Sequence, residues 1–128
     1  IKLEATKNVH ILGWVDPFEF WSKCDIALLT SDNEAQPISL IESQLCGIPA
    51  VAENVGSVSE VVLDGKTGFL VSGNRDRLNA LAILISDSRL REVQGSMAKS
   101  TANNKFGVQQ FILNHEKAYK IAIDLHKR

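Results

Sequence analysis

Glu34 and Glu42 are separated by seven residues, with a Pro-Ile-Ser step between them. Pro37 suits the first turn of a helix, where its missing N–H is not needed. The pattern therefore predicts a helix from Pro37 to about Cys46, with Glu34 in the loop before it. The backbone N–H groups of Ile38 and Ser39 would form the helix N-terminus, a setting that favours an anion such as a phosphate. Pro37 cannot donate. Glu42 falls four residues after Ile38, beside Ile41 and three before Leu45, along an apolar stripe. An ionised carboxylate there is costly unless a cation or several donors meet it. From spacing alone, a ligand-facing carboxylate stands level with a structural ion pair, or with a rotation that leaves Glu42 at the stripe's edge.

Short β-type runs must position these groups. "VHILG" (9 to 13), "DIALLT" (25 to 30), "PAVAEN" (49 to 54) and "GFLV" (68 to 71) are rich in Val, Ile and Leu and bounded by Gly, Pro, Asp or Asn. "PFEFWSKC", the Pro37 helix and "SVSEVVLDG" alternate with them. That order predicts an α/β fold, a Rossmann-like parallel sheet of about four strands flanked by helices. Glu34 then lies at the carboxyl end of the strand ending near Thr30, the end where parallel sheets bind ligands. From Arg75 onward the pattern is helical. "RDRLNALAILISD" and "SRLREVQGSMAKST" precede a long terminal helix on which Phe111, Ile112, His115, Ala118, Tyr119 and Ala122 recur at helical spacing. The expected division is an α/β part over 1–74 and a helical part over 75–128.

Composition narrows the function classes. A chain of 128 residues with 45% hydrophobic and 23% charged content has room for one domain with a real core. A formal net charge of −1 gives no general attraction to nucleic acid. No apolar run is long enough to span a bilayer. Cys24 and Cys46 sit among apolar neighbours without zinc spacing, which predicts buried, reduced thiols, a reducing compartment and a cytoplasmic location. The chain opens on Ile1 and its one methionine is Met97, so a piece of a longer product is expected.

Glu34 and Glu42, followed by "LCGIPAVAENVGSVSEVVLDGKTGFLV", resemble the donor-binding half of retaining glycosyltransferases of the GT-B fold, glycosyltransferase family four. That family typically reads E-G-x-P/G-x-x-x-x-E-A-M-A-x-G-x-P-V-V-A and then G-G-x-x-E-x-V-x-D-G-x-x-G-x-L-V. "VHILGWVD" is similar to its V-x-F-L-G-x-V-x-D, and "KFGVQQFILNHEKAY" to its closing helix. Nearly the whole chain is covered. Ala35-Gln36-Pro37 stands where Gly-Phe-Gly is commoner, and Ser43-Gln44 where Ala-Met is usual.

The resemblance implies that Glu42 grips the ribose hydroxyls of a sugar nucleotide and that Glu34 meets hydroxyls of the transferred sugar. Ile38 and Ser39 would face the diphosphate. The nucleobase would lie near Trp14 and Val15, although Trp14 also reads as a packing residue. Gly56, Gly65 and Gly68 read as turn glycines, and Glu60 as structural. His10, His115 and His126 lie outside the matched motif and read as surface or helix-face residues. The chain would be a partial C-terminal donor-binding domain with no cofactor and no metal. Its partners would be a nucleoside-diphosphate sugar and a glycan, lipid or small-molecule acceptor, the acceptor held by a missing N-terminal domain. Two earlier β-α units of the family, which carry an Arg/Lys pair for the leaving group, are also absent. The fragment alone is therefore expected to be inactive, and the parent to be cytoplasmic or peripheral to a membrane. A non-catalytic GT-B-like module and another GT-B enzyme, such as a sugar-nucleotide epimerase, remain open. Losing those units leaves unpaired sheet edges. The favoured expectation is that "VHILG" pairs directly beside "DIALLT"; the other is that two chains complete each other's sheets.

Overall fold

The computed structural model describes residues 8–126. A parallel sheet of three strands forms from β1 (Ala27–Leu29), β2 (Ala50–Glu53) and β3 (Gly68–Val71), in that spatial order. Leu28 pairs with Val51, and Val51 with Phe69. Helix α1 (Pro17–Trp21) precedes the sheet, α2 (Ile38–Leu45) joins β1 to β2, and α3 (Val58–Val61) joins β2 to β3. Three consecutive helices follow: α4 (Asn74–Ser86), α5 (Ser88–Phe106) and α6 (Val108–His126). No helix among the described residues is long and apolar enough to cross a membrane.

The period-two geometry of β2 explains the layering. Ala50 and Ala52 point into a core with Leu40, Val58, Val61 and Val62, on the side of α2 and α3. Val51 points the other way, against Val71, Ala80 and Leu84 of β3 and α4. A strand buried on both faces reads as a continuous apolar run, as this one does. Local signals set the helix starts. Asp16 Oδ1 accepts the N–H of Glu19 at 2.9 Å to cap α1, and Asp87 Oδ1 accepts that of Leu90 at 2.8 Å to cap α5.

"VHILG" corrects the expected four-stranded sheet. Residues 9–13 form no strand and no bridge, and Val9, Ile11 and Leu12 are exposed. A strand exists only where a neighbour takes its N–H and C=O groups. Among the described residues β1 pairs with β2 alone, so its outer edge carries no strand, and the run at 9–13 has the composition of a strand without its partner.

One ion pair fastens the carboxyl end of the sheet. Arg77 of α4 donates from Nε to Glu53 Oε1 at 3.0 Å and also from Nη2, while the Gly73 N–H donates to Oε2 at 3.1 Å. These contacts, the Arg77 hydrogen bond foremost, hold the Glu53 carboxyl below its ordinary range. A depressed folded-state pKa stabilises the fold above the ordinary carboxylate value, and the contribution disappears as pH falls through the folded value. Glu53→Gln is therefore expected to melt below the wild type at pH 7, with the two melting curves converging as the pH falls below the ordinary carboxylate range. A gap that persists at the acid end would assign the loss to packing.

Candidate functional site

Helix α2 begins one residue later than the proline suggested. Pro37 is the N-cap (φ −74°, ψ 91°), and its carbonyl accepts from the N–H groups of Leu40 at 3.1 Å and Ile41 at 3.2 Å. Proline fits because a cap needs only the carbonyl. The N–H groups of Ile38 and Ser39 precede the first intrahelical bonds. No side chain caps this end, and no acidic residue occupies the first turn. The positive end of the helix is thus left for solvent or an anion.

The two carboxylates flank this end. Glu34 is half-buried in the loop that leaves the carboxyl end of β1. Glu42 is half-buried one turn into α2. Among the described residues neither carboxylate has a hydrogen-bond or ion-pair partner in the protein; the two ion pairs are Lys23–Glu19 and Arg77–Glu53. The buried face of α2 is Leu40, Ser43 and Gln44, and Ile38 is 65% exposed. At about 100° per residue, Glu42 lies on the side away from that face. The apolar stripe is only partly covered: Ile41 packs against the core, whereas Ile38 is exposed. Ser43 and Gln44 take the buried positions with partial satisfaction of their polar atoms: Ser43 Oγ donates to the Leu40 carbonyl at 2.9 Å and Gln44 Nε2 donates to Thr67 Oγ1 at 3.2 Å, while Gln44 Oε1 has no partner among the described residues.

The other expected residues lie around these. Gln36 and Ile38 line a groove of about 640 Å³ with Glu60, Lys105, Phe111 and His115, between α2 and the α5–α6 corner. Lys105 is the cation there, and its Nζ donates to the Glu60 carbonyl at 2.6 Å. Val15 lines a different groove, of about 360 Å³, with Trp14 and Phe20. Trp14 is 91% exposed, so it does not pack in the core as its type suggested. His10, His115 and His126 are all exposed. Cys24 and Cys46 are free but only half-buried. Burial pushes both thiols up; at Cys46, Lys99 opposes this and Glu42 adds to it.

Sequence reasoning missed what stands behind Glu34. Its carbonyl accepts the Ser57 N–H at 3.2 Å, so the loop after β1 rests on the turn after β2. It also missed Glu53, a third carboxylate at this end of the sheet, whose partner Arg77 lies 24 residues on.

A family model described as glycosyl transferases group 1 matches residues 1–101. The chain belongs to this family. Among curated relatives, a D-inositol 3-phosphate glycosyltransferase of Paenarthrobacter aurescens is 34% identical over 106 residues, covering 81% of this chain and 26% of the relative. An N-acetyl-alpha-D-glucosaminyl L-malate synthase of Bacillus anthracis is 30% identical over 126 residues, covering 91% of this chain and 33% of the relative. The chain thus spans a third or less of the length of these relatives. Among solved structures, HepE of Anabaena in complex with UDP superposes with a TM-score of 0.70 at 26% identity, over 81% of this chain and 29% of HepE. A sucrose-phosphate synthase of Thermosynechococcus elongatus gives a TM-score of 0.77 at 21% identity, over 83% of this chain and 27% of that one, which supports the GT-B fold.

Proposed function

We propose that this chain is the donor-binding part of a retaining glycosyltransferase, which moves a sugar from a nucleoside-diphosphate sugar to an acceptor hydroxyl. The observation that carries this reading is the open start of α2 flanked by Glu34 and Glu42, neither of which has a protein partner among the described residues. Support comes from relatives named as glycosyltransferases and from HepE, solved with UDP and with UDP-glucose.

In this reading each group has one task. The Ile38 and Ser39 N–H groups meet the diphosphate, where the helix dipole favours negative charge. Glu42 accepts from the two vicinal ribose hydroxyls, a pairing suited to a carboxylate with two acceptor oxygens. Glu34, held by the loop after β1, accepts from hydroxyls of the sugar and fixes its anomeric carbon against the acceptor. Val15 borders the nucleobase. The chain requires no cofactor in this scheme, since the sugar nucleotide is the substrate. Residues outside this chain would hold the acceptor and supply the cations that stabilise the leaving diphosphate, a contribution worth several kcal/mol. By itself the chain would not catalyse transfer.

Glu42→Gln in the complete enzyme keeps the side chain's shape but replaces one acceptor oxygen with an NH2 donor and removes the charge. Hydrogen bonds to charged groups contribute about 1.5–3 kcal/mol, so UDP affinity by calorimetry is expected to fall roughly 10-fold or more. Because the ribose contact persists from ground state to transition state, turnover at saturating donor should change little. Unchanged UDP affinity would remove the ribose role.

A further inference from the structure

We propose that Gly56 is a positioning residue for Glu34: the missing side chain at this turn is what lets the Glu34 backbone take its place. The proposal rests on the reading of Glu34 as the carboxylate that meets the transferred sugar.

Gly56 follows β2 and has φ +51°, in the left-handed region. A Cβ built there would stand 1.8 Å from the Glu34 carbonyl oxygen, 2.9 Å from its carbonyl carbon and 3.2 Å from its nitrogen. All three are backbone atoms, so no side-chain rotation relieves the clash. The adjacent Ser57 N–H donates to the same carbonyl at 3.2 Å. The turn after β2 therefore meets the Glu34 main chain through two adjacent residues, by the close approach of Gly56 and by the Ser57 hydrogen bond. Any L side chain at position 56 must push Glu34 outward by more than about 1 Å, and a misplacement of that size in a reacting assembly is worth up to about 100-fold in rate.

The chain supplies its own control. Gly65 has a similar φ of +70°, yet a Cβ there would meet nothing within 4 Å. Gly65→Ala thus imposes the left-handed strain without the clash. Gly56→Asn does the reverse, since asparagine tolerates this backbone region but carries a Cβ. It also gives a second route to a folded variant should Gly56→Ala fail to fold.

The three variants are made in the complete enzyme, with crystal structures, transfer rates and UDP affinity measured for each, and Glu34→Ala assayed alongside. The expected result is a displaced Glu34 and a loss of roughly 30- to 100-fold in kcat for Gly56→Ala and Gly56→Asn, with UDP affinity held within about twofold. Gly65→Ala should keep kcat within about twofold and lose only melting temperature. An unmoved Glu34, or equal losses of kcat in Gly65→Ala, overturns the proposal. A displaced Glu34 with full turnover also overturns it. In that last case an inactive Glu34→Ala leaves the sugar-contact reading standing, and a fully active one removes that reading too.

Discussion

Glu34→Ala in the complete enzyme is expected to lower kcat by about 100-fold while leaving UDP affinity within about twofold. The split follows from where the residue stands. Glu34 precedes α2 in a loop, whereas the diphosphate and ribose contacts are assigned to Ile38, Ser39 and Glu42 inside the helix. In the proposed arrangement, removing the carboxylate would leave the nucleotide's contacts intact and free the sugar to rotate away from its reactive orientation. Well-oriented positioning of this kind accounts for a large share of enzymatic rate enhancement. Glu34→Gln should retain more activity than Glu34→Ala, since an amide oxygen still accepts one hydroxyl proton. Initial rates at saturating donor, with calorimetric UDP affinities, separate the two effects. Equal losses in affinity and turnover would place Glu34 with the nucleotide instead.

Gly95→Ala is expected to lower the melting temperature by up to roughly 10 °C. In a solvent-exposed helix the same change normally stabilises by about 0.5–1 kcal/mol. Here the sign reverses because Gly95, buried on α5, lies against the turn that ends α2. A Cβ would stand 2.1 Å from the Gly47 carbonyl oxygen and 3.1 Å from its carbon. Gly47 itself has φ +81°, so its backbone has little freedom to yield. Overpacking of this kind costs about 1–3 kcal/mol and outweighs the helix-propensity gain. Differential scanning calorimetry reads the outcome. An unchanged or raised melting temperature would show that α5 slides past the turn without penalty.

The strands of the sheet were legible where both faces are buried. "PAVAEN" and "GFLV" show continuous apolar runs between turn signals, and both are strands. "VHILG" carries the same signal and is not a strand, because pairing depends on a neighbour that local composition cannot supply. Helix α2 taught a related lesson. Its apolar residues at 38, 41 and 45 form a clean stripe, but the fully buried positions are Leu40, Ser43 and Gln44. Hydrophobicity ranks residues by type, whereas burial also accepts polar groups whose hydrogen bonds are met, as those of Ser43 are by the Leu40 carbonyl.

The candidate site was readable where its logic is local. The proline that starts α2 and the glutamates on either side of it lie within nine residues of sequence, from 34 to 42. Its supports were not readable. Gly56 buttresses the Glu34 backbone from the next β-α connection, and Arg77 reaches Glu53 from α4. Both relations arise from strand order, which brings distant connections side by side at one edge of the sheet.

The central claim, that this edge holds a sugar nucleotide, is tested most directly by a crystal structure of the complete enzyme with UDP. The account predicts both ribose hydroxyls within about 3 Å of the Glu42 carboxylate and a diphosphate oxygen at a similar distance from the Ile38 or Ser39 N–H. UDP bound with its ribose away from Glu42 and its diphosphate away from the start of α2 would contradict it.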